Sequence, residues 1–179
     1  MENLVSVKEL RVRLSQKQSG ITNRSGVYCW WFRRDAAKTL IANIPLTESE
    51  TKRISKRIIS NDEYWALYFG ISKDMLNRAK WHILQKHTLS AVRNGRLSTL
   101  RQTLSGLLKN RMTESENVVN QFIDDNCYWE WEYDADPKLR ESKELSSDNE
   151  CYPLNIQENR TVSKIVLKRL KEVRRHYKN

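Results

Sequence analysis

Tyr68, Arg78 and His82 are the residues whose types and spacing first suggest chemistry. Tyr68 stands near the end of an apolar run, Tyr64-Trp65-Ala66-Leu67-Tyr68-Phe69-Gly70, that closes on a glycine. Arg78 follows ten residues after Tyr68 and His82 four after Arg78. Positions four apart share one face of a helix. The planar fork of an arginine suits a pair of phosphate oxygens. An imidazole one turn away can donate a hydrogen bond or take part in proton transfer. Each residue type also has a purely structural use: a core tyrosine, a solvated helix arginine, a hydrogen-bonding histidine. What this stretch lacks is a metal ligand and a second hydroxyl.

The charge pattern says where to look for them. Lys and Arg number 32 against 22 Asp and Glu, a formal net charge of +10. That imbalance points to a polyanion, nucleic acid ahead of an acidic membrane. Residues 71–111 hold nine Lys/Arg and one acid, Asp74; residues 113–150 hold twelve acids and three bases; residues 159–179 hold eight bases and one acid, Glu172. The basic middle would face phosphates, and the acidic block would contain any metal carboxylate. Lys73, Lys80, Lys86, Arg93, Arg96 and Arg101 form the expected phosphate footprint, with His87 in a loop near the backbone of the nucleic acid.

Three stretches read as strands. Ser25-Gly26-Val27-Tyr28-Cys29-Trp30-Trp31-Phe32 is β-branched and aromatic. Its near-continuous apolarity predicts a central strand covered on both faces. Residues 64–70 form the second. In the third, Cys127, Trp129, Trp131 and Tyr133 alternate with Tyr128, Glu130 and Glu132, which predicts a half-exposed strand. Residues 35–62 form an insertion between the first two. There Thr47-Glu48-Ser49-Glu50 is a capping box, and Ile54, Ile58 and Ile59 predict a helix of about three turns, closed by Asn61-Asp62.

Helical spacing recurs elsewhere. Met75, Ala79, His82 and Ile83 follow Ser72 or Asp74 as N-cap. Leucines predict a helix over 97–109, after a loop-like Lys86–Gly95. Thr113-Glu114-Ser115-Glu116 is a second capping box, before Val118, Val119, Phe122 and Ile123. A turn at Asp136-Pro137 leads into a short helix over 138–145. Pro153 favours an extended Cys151–Ile156. Residues 160–176 form an amphipathic basic helix, and Val5–Leu14 a short N-terminal one.

With 179 residues, one domain is expected, long enough for a core without disulfides or a structural metal. The six Trp, seven Tyr and three Phe argue against a disordered chain. No apolar run reaches the ~18 residues of a membrane span, and no basic-then-apolar leader opens the sequence. Cys29, Cys127 and Cys151 are odd in number and far apart, so buried free thiols in a reducing cytoplasm are expected.

Three separated pieces then line up in order: Gly26-Val27-Tyr28, Tyr68-Phe69-Gly70 with Arg78 and His82 behind it, and a carboxylate-bearing segment (Glu141, Glu144) ahead of Pro153-Leu154-Asn155. Over about residues 24–156 the chain resembles the GIY-YIG endonuclease superfamily, with Val for Ile in the first signature and Phe for Ile in the second. The resemblance implies an α+β fold, a small three-stranded antiparallel sheet flanked by helices. To this the chain adds a helical insertion at 35–62, where many members have a tight hairpin, and a C-terminal helix.

The resemblance also implies roles. Tyr28 and Tyr68 would be the signature tyrosines, one activating water and the other positioning water or phosphate. A free tyrosine has a pKa of about 10, so a tyrosine base needs a cation such as Lys73 or Arg78 nearby. Gly26 and Gly70 belong to the signatures, Gly70 giving a sharp strand exit. Arg78 would stabilise phosphate charge, and His82 would donate to the scissile phosphate or move a proton. Glu141, or alternatively Glu144, would hold one Mg²⁺ or Mn²⁺, and Asn155 would orient the site.

The activity implied is a metal-dependent endonuclease on DNA, with RNA as the other candidate polyanion and no membrane partner. Cutting both strands with one site per chain favours a homodimer or two successive nicks. The rivals are a nucleic-acid-binding module of the same fold that does not cut, and a structural domain whose basic tail docks an acidic protein.

Overall fold

A computed structural model of the chain describes residues 3–178. The elements run β1 (Asn3–Ser6), α1 (Val7–Ser15), β2 (Gly26–Arg33), α2 (Arg34–Ile41), α3 (Glu48–Lys52), β3 (Lys56–Ile59) and β4 (Asp62–Ser72). They continue with α4 (Met75–Ile83), α5 (Leu89–Arg93), α6 (Thr99–Leu107), α7 (Glu116–Asn126), β5 (Cys127–Tyr133), α8 (Pro137–Leu145) and α9 (Lys164–His176). The fold is mixed α and β, but the antiparallel sheet has five strands in the order β1-β5-β2-β4-β3, not the three expected. The expected central strand, β2, lies between β5 and β4.

The two extra strands occupy segments whose spacing predicts helix. Ser6 caps α1, its hydroxyl accepting the Glu9 N–H. The residues before it are therefore free to pair with β5. In the insertion, the Thr47 capping box forms, yet α3 is only five residues long. Ser60 and Asn61 both take positive φ, +50° and +72°. Two such residues make the tight hairpin turn that suits strand twist. They pair Ile59 with Asp62 across β3 and β4. The insertion thus carries α2, α3 and β3, and is not wholly helical.

Further differences come from local competition. Residues 89–93, loop-like in sequence, form α5. The Thr113 box does not form. Ser115 stands at the cap of α7, and the Glu116 carboxylate accepts the His87 backbone N–H instead. Pro153-Leu154 sits in a turn closed by the Asn155 N–H to Tyr152 carbonyl bond, so the segment is not extended. The C-terminal helix starts at Lys164, not 160.

One register shift, just beyond Tyr68, separates the two halves of β4. Trp30 pairs with Tyr68 but Trp31 pairs with Ala66, so Leu67 is an extra residue in β4. A bulge re-aims the side chains beyond it. Here Leu67 and Tyr68 both pack into the core that holds Tyr28 and Trp30, whereas Ala66 and Phe69 pack on the other face. The first face is covered by α1, α4, α6, α7 and α9. The second is covered partly by Leu145 of α8 and by Tyr152. That cover makes β5 less exposed than its alternation predicts. Glu130 is 4% exposed and accepts bonds from Trp31 Nε1 at 2.7 Å and Arg57 Nη1 at 2.9 Å.

His87 and Arg101 are the clearest departures from the expected surface. Both are buried, at 3% and 1% exposure. Arg101 donates to His87 Nε2 at 2.7 Å, to the His82 carbonyl at 2.9 Å and to Asn120 Oδ1 at 2.6 Å. Arg101 lies three residues before Leu104 and four before Ser105 and shares their buried side of α6, so it is a core tie and not a phosphate contact. Burial and Arg101 lower the His87 pKa from 6.5 to about 4.

This network carries a pH signature. The unfolded chain binds a proton at His87 near 6.5, the folded chain only near 4. Between those values the unfolded state holds more protons, so stability is full above pH 6.5 and is lost as pH falls toward 4. At pH 5 the loss from this site is about 2 kcal/mol. His82, also held well below its ordinary pKa, acts in the same direction. Urea denaturation at pH 7 and pH 5 is expected to show this loss in the wild type and a smaller one in His87→Gln. Equal losses in the two proteins would remove His87 from the account.

Candidate active site

Tyr28 on β2 lies directly opposite Gly70 on β4. A Cβ at position 70 would stand 2.5 Å from both Cζ and the hydroxyl of Tyr28. Gly70 is therefore a seat for the Tyr28 ring inside a continuing strand, and not a sharp exit from it. Trp129 of β5 stacks on the same ring at 4.7 Å between centroids.

His82 reaches Tyr28 from α4. Its Nε2 lies 2.8 Å from the Tyr28 hydroxyl and its Nδ1 lies 2.8 Å from the Ser98 hydroxyl just before α6. Both ring nitrogens are thus engaged, and His82 is 1% exposed. Burial, then Arg78 and Arg101, push its pKa well below the usual value, so the imidazole is neutral at neutral pH. Burial also pushes the Tyr28 pKa well up, and the nearby Tyr68 adds to this. The Arg78 charge opposes them but does not win. The resting Tyr28 is a neutral phenol.

Tyr68 lies beside it, ring centroids 6.3 Å apart, two residues from Gly70 on the same face of β4. Its hydroxyl is 3.1 Å from the hydroxyl of Thr99, the first residue of α6. Tyr68 and Thr99 line a recess of about 60 Å³ together with Glu141 of α8, Asn155 and Arg174 of α9. Asn155 braces the strand behind it. Its side-chain amide accepts from the Phe69 N–H at 2.9 Å and donates to the Phe69 carbonyl at 2.7 Å. This pair of hydrogen bonds to the β4 backbone holds the turn 152–155 against the strand that carries Tyr68.

Arg78 stands on α4, whose N-cap Asp74 accepts the Asn77 N–H. Its guanidinium lies 4.7 Å over the Trp81 ring. The two line an open groove of about 650 Å³ with Lys73 and Asn77. Arg78 acts electrostatically on Tyr28, His82 and Glu141 alike. Its charge is therefore within electrostatic reach of all three. Lys80, Lys86, Arg93 and Arg96 are exposed nearby, on α4, α5 and the adjoining loops.

The two candidate carboxylates differ in their surroundings. Glu144 accepts from Arg140 Nε at 3.1 Å and from the Tyr152 hydroxyl at 2.9 Å. Both of its oxygens have protein partners. Glu141 is half-buried and faces the recess. Burial raises its pKa, Glu158 raises it further, and Arg78 opposes them. Among the described residues no group of three or more His, Cys, Asp or Glu gathers to hold a metal. One carboxylate beside hydroxyl and amide oxygens still fits Mg²⁺, which keeps most of its waters and takes the rest of its shell from phosphate. All three cysteines are free and buried, outside this donor set.

Ser98, Thr99 and Arg174 are site residues that sequence reasoning missed. Ser98 and Thr99 carry no motif. Arg174 follows Leu170 by one turn, on the buried side of an amphipathic helix, and that spacing was the available signal.

A family model described as the GIY-YIG catalytic domain matches residues 26–176. No curated protein and no solved structure matches the chain. The matched span opens at the first residue of β2 and closes at the last residue of α9, so it takes in every element that lines the recess. The chain belongs to the GIY-YIG catalytic-domain family, and this membership implies nuclease activity.

Proposed function

We propose that the protein is a metal-dependent endonuclease that hydrolyses phosphodiester bonds in DNA. The observation that carries this reading is the recess lined by Tyr68, Thr99, Glu141, Asn155 and Arg174, with the buried Tyr28–His82 pair beside Tyr68 and the Arg78 charge within electrostatic reach of Tyr28, His82 and Glu141. A Mg²⁺ or Mn²⁺ held by Glu141 would supply Lewis-acid stabilisation of the phosphate.

The chain's own residues do the rest. Arg78 donates to non-bridging oxygens of the scissile phosphate and stabilises their developing charge. Tyr68 and Thr99 present hydroxyls that orient the phosphate and the attacking water. Tyr28 is the tyrosine with an imidazole partner, so it is the better proton carrier. With the His82 proton on Nδ1 and donated to Ser98, Nε2 accepts the Tyr28 proton as Tyr28 takes one from water. Arg78 opposes a charge on His82 in the free protein. A bound phosphate offsets that cation and eases the transfer. The exposed cations of α4 and α5 supply the non-specific, salt-sensitive footprint.

Supercoiled plasmid with Mg²⁺ tests the reading. Wild type is expected to nick or linearise it. Arg78→Ala, melting normally, is expected to lose about 10²–10³-fold in rate, as for loss of one donor to a developing oxyanion. Wild type that leaves the plasmid supercoiled in Mg²⁺ and in Mn²⁺ would sink the enzyme reading in favour of a binding module.

A further inference from the structure

We propose that Arg174, on the C-terminal helix, is a second phosphate-binding residue of the site, gripping a non-bridging oxygen of the scissile phosphate from a different helix than Arg78. This rests on the nuclease reading above and deepens it.

The geometry is that of an aimed side chain. Val166, Leu170 and Val173 bury one face of α9, and Val173 sits so close to Gly106 of α6 that a Cβ there would stand 2.4 Å from Val173 Cγ1. This close packing fixes where α9 delivers residue 174. Arg174 Nε then donates to Thr103 Oγ1 at 2.7 Å and its Nη2 to the Thr99 carbonyl at 2.7 Å. Both acceptors are uncharged, so the cation is oriented but not neutralised. It lines the recess that Tyr68 and Glu141 also line. A partly buried arginine with no anion bonded to it is costly to keep. The arrangement makes sense where an anion arrives from outside. Burial lowers the Arg174 pKa to about 10, so it still carries its charge at neutral pH.

Thr99 links the two halves. Its carbonyl holds Arg174 and its hydroxyl meets the Tyr68 hydroxyl. One residue at the start of α6 thus sets the cation and the phenol relative to each other. A planar fork has room for the phosphate oxygen after two of its N–H groups are spent.

The test uses the full chain with Arg174→Gln and Arg174→Lys, read in two ways. The first is affinity for a DNA duplex without divalent metal across several salt concentrations. A lost phosphate contact lowers the slope of log K against log salt by about one. Arg174→Gln is expected to show that drop and Arg174→Lys to keep the wild-type slope. An arginine with only a structural role leaves the slope alone. The second is plasmid nicking with Mg²⁺ at saturating protein. Arg174→Gln is expected to be slower by about 10²-fold or more, in the maximal rate more than in affinity, with partial recovery in Arg174→Lys.

A normally melting Arg174→Gln with the wild-type salt slope overturns the proposal, whatever its rate. If Arg174→Gln melts early, Thr103→Val takes its place. It keeps the charge, removes one acceptor, and is expected to nick about tenfold more slowly. An unchanged rate there overturns the proposal. Wild type that binds DNA but never nicks sinks the nuclease reading and leaves the salt-slope comparison to judge Arg174 separately.

Discussion

Glu141→Gln is expected to abolish plasmid nicking, by about 10³-fold or more, while the protein melts as wild type. The substitution keeps the shape of the side chain and removes its charge. A carboxylate that holds the metal contributes several kcal/mol of transition-state stabilisation, and each 1.36 kcal/mol is tenfold in rate. The fold should not suffer, because burial already disfavours the charged form of Glu141. Glu144→Gln is the matched control, three residues along the same helix. Its partners are Arg140 and Tyr152, so its loss should appear in stability, by about 1–3 kcal/mol, and only a few-fold in rate. The reverse outcome, with Glu144→Gln dead and Glu141→Gln active, would move the metal to Glu144. DNA affinity measured without metal should be the same for both variants and wild type, which separates metal binding from substrate binding.

The contrast between these two glutamates shows what could be read from the chain and what could not. Residue types and order identify the pieces: the tyrosines, the helix arginine, the downstream acids. Those features are local, and a strand or helix period places them on elements. Which acid faces the site depends on who else competes for it, and Tyr152 lies eight residues away from Glu144 across a turn. The bulge at Leu67 was equally out of reach, because it arises from the pairing of β4 with β2. Without it, alternation back from Tyr68 would put Ala66 on the Tyr28 face and Leu67 on the other.

The misread elements have similar causes. Ile58-Ile59 carries β-branched residues, but Ile54 at helical spacing invites a helix. The Ser60-Asn61 pair, which can take two positive φ values, is the better signal. Arg101 looks like one cation in a basic run. Its leucine neighbours at helical spacing mark it as buried, yet its partners His87 and Asn120 come from elsewhere in the chain. Charge runs describe a surface only where the helix period agrees.

Gly70→Ala is expected to cost about 10²-fold or more in nicking and about 1–3 kcal/mol in stability, the usual cost of overpacking. The added methyl would lie 2.5 Å from Tyr28 Cζ and its hydroxyl, and 3.0 Å from Cε2. No pair of unbonded heavy atoms of this kind sits so close, so the ring must move. Its far end is not free to do so, since the hydroxyl is held at 2.8 Å by His82 and Trp129 stacks on the ring. The rate loss comes from breaking the Tyr28–His82 contact, because a positioned proton carrier contributes about 10²–10⁴-fold. Tyr28→Phe separates the two effects. It removes the hydroxyl directly and should match the rate loss of Gly70→Ala. Adding Gly70→Ala to Tyr28→Phe should then cost only a few-fold more in rate, as expected for two changes acting through one contact. Losses that multiply in full would mean that Gly70 serves the site by another route, such as close approach of the phosphate to the β4 backbone. A Gly70→Ala protein that melts and nicks as wild type would show that the Tyr28 ring does not rest where the register with Gly70 puts it.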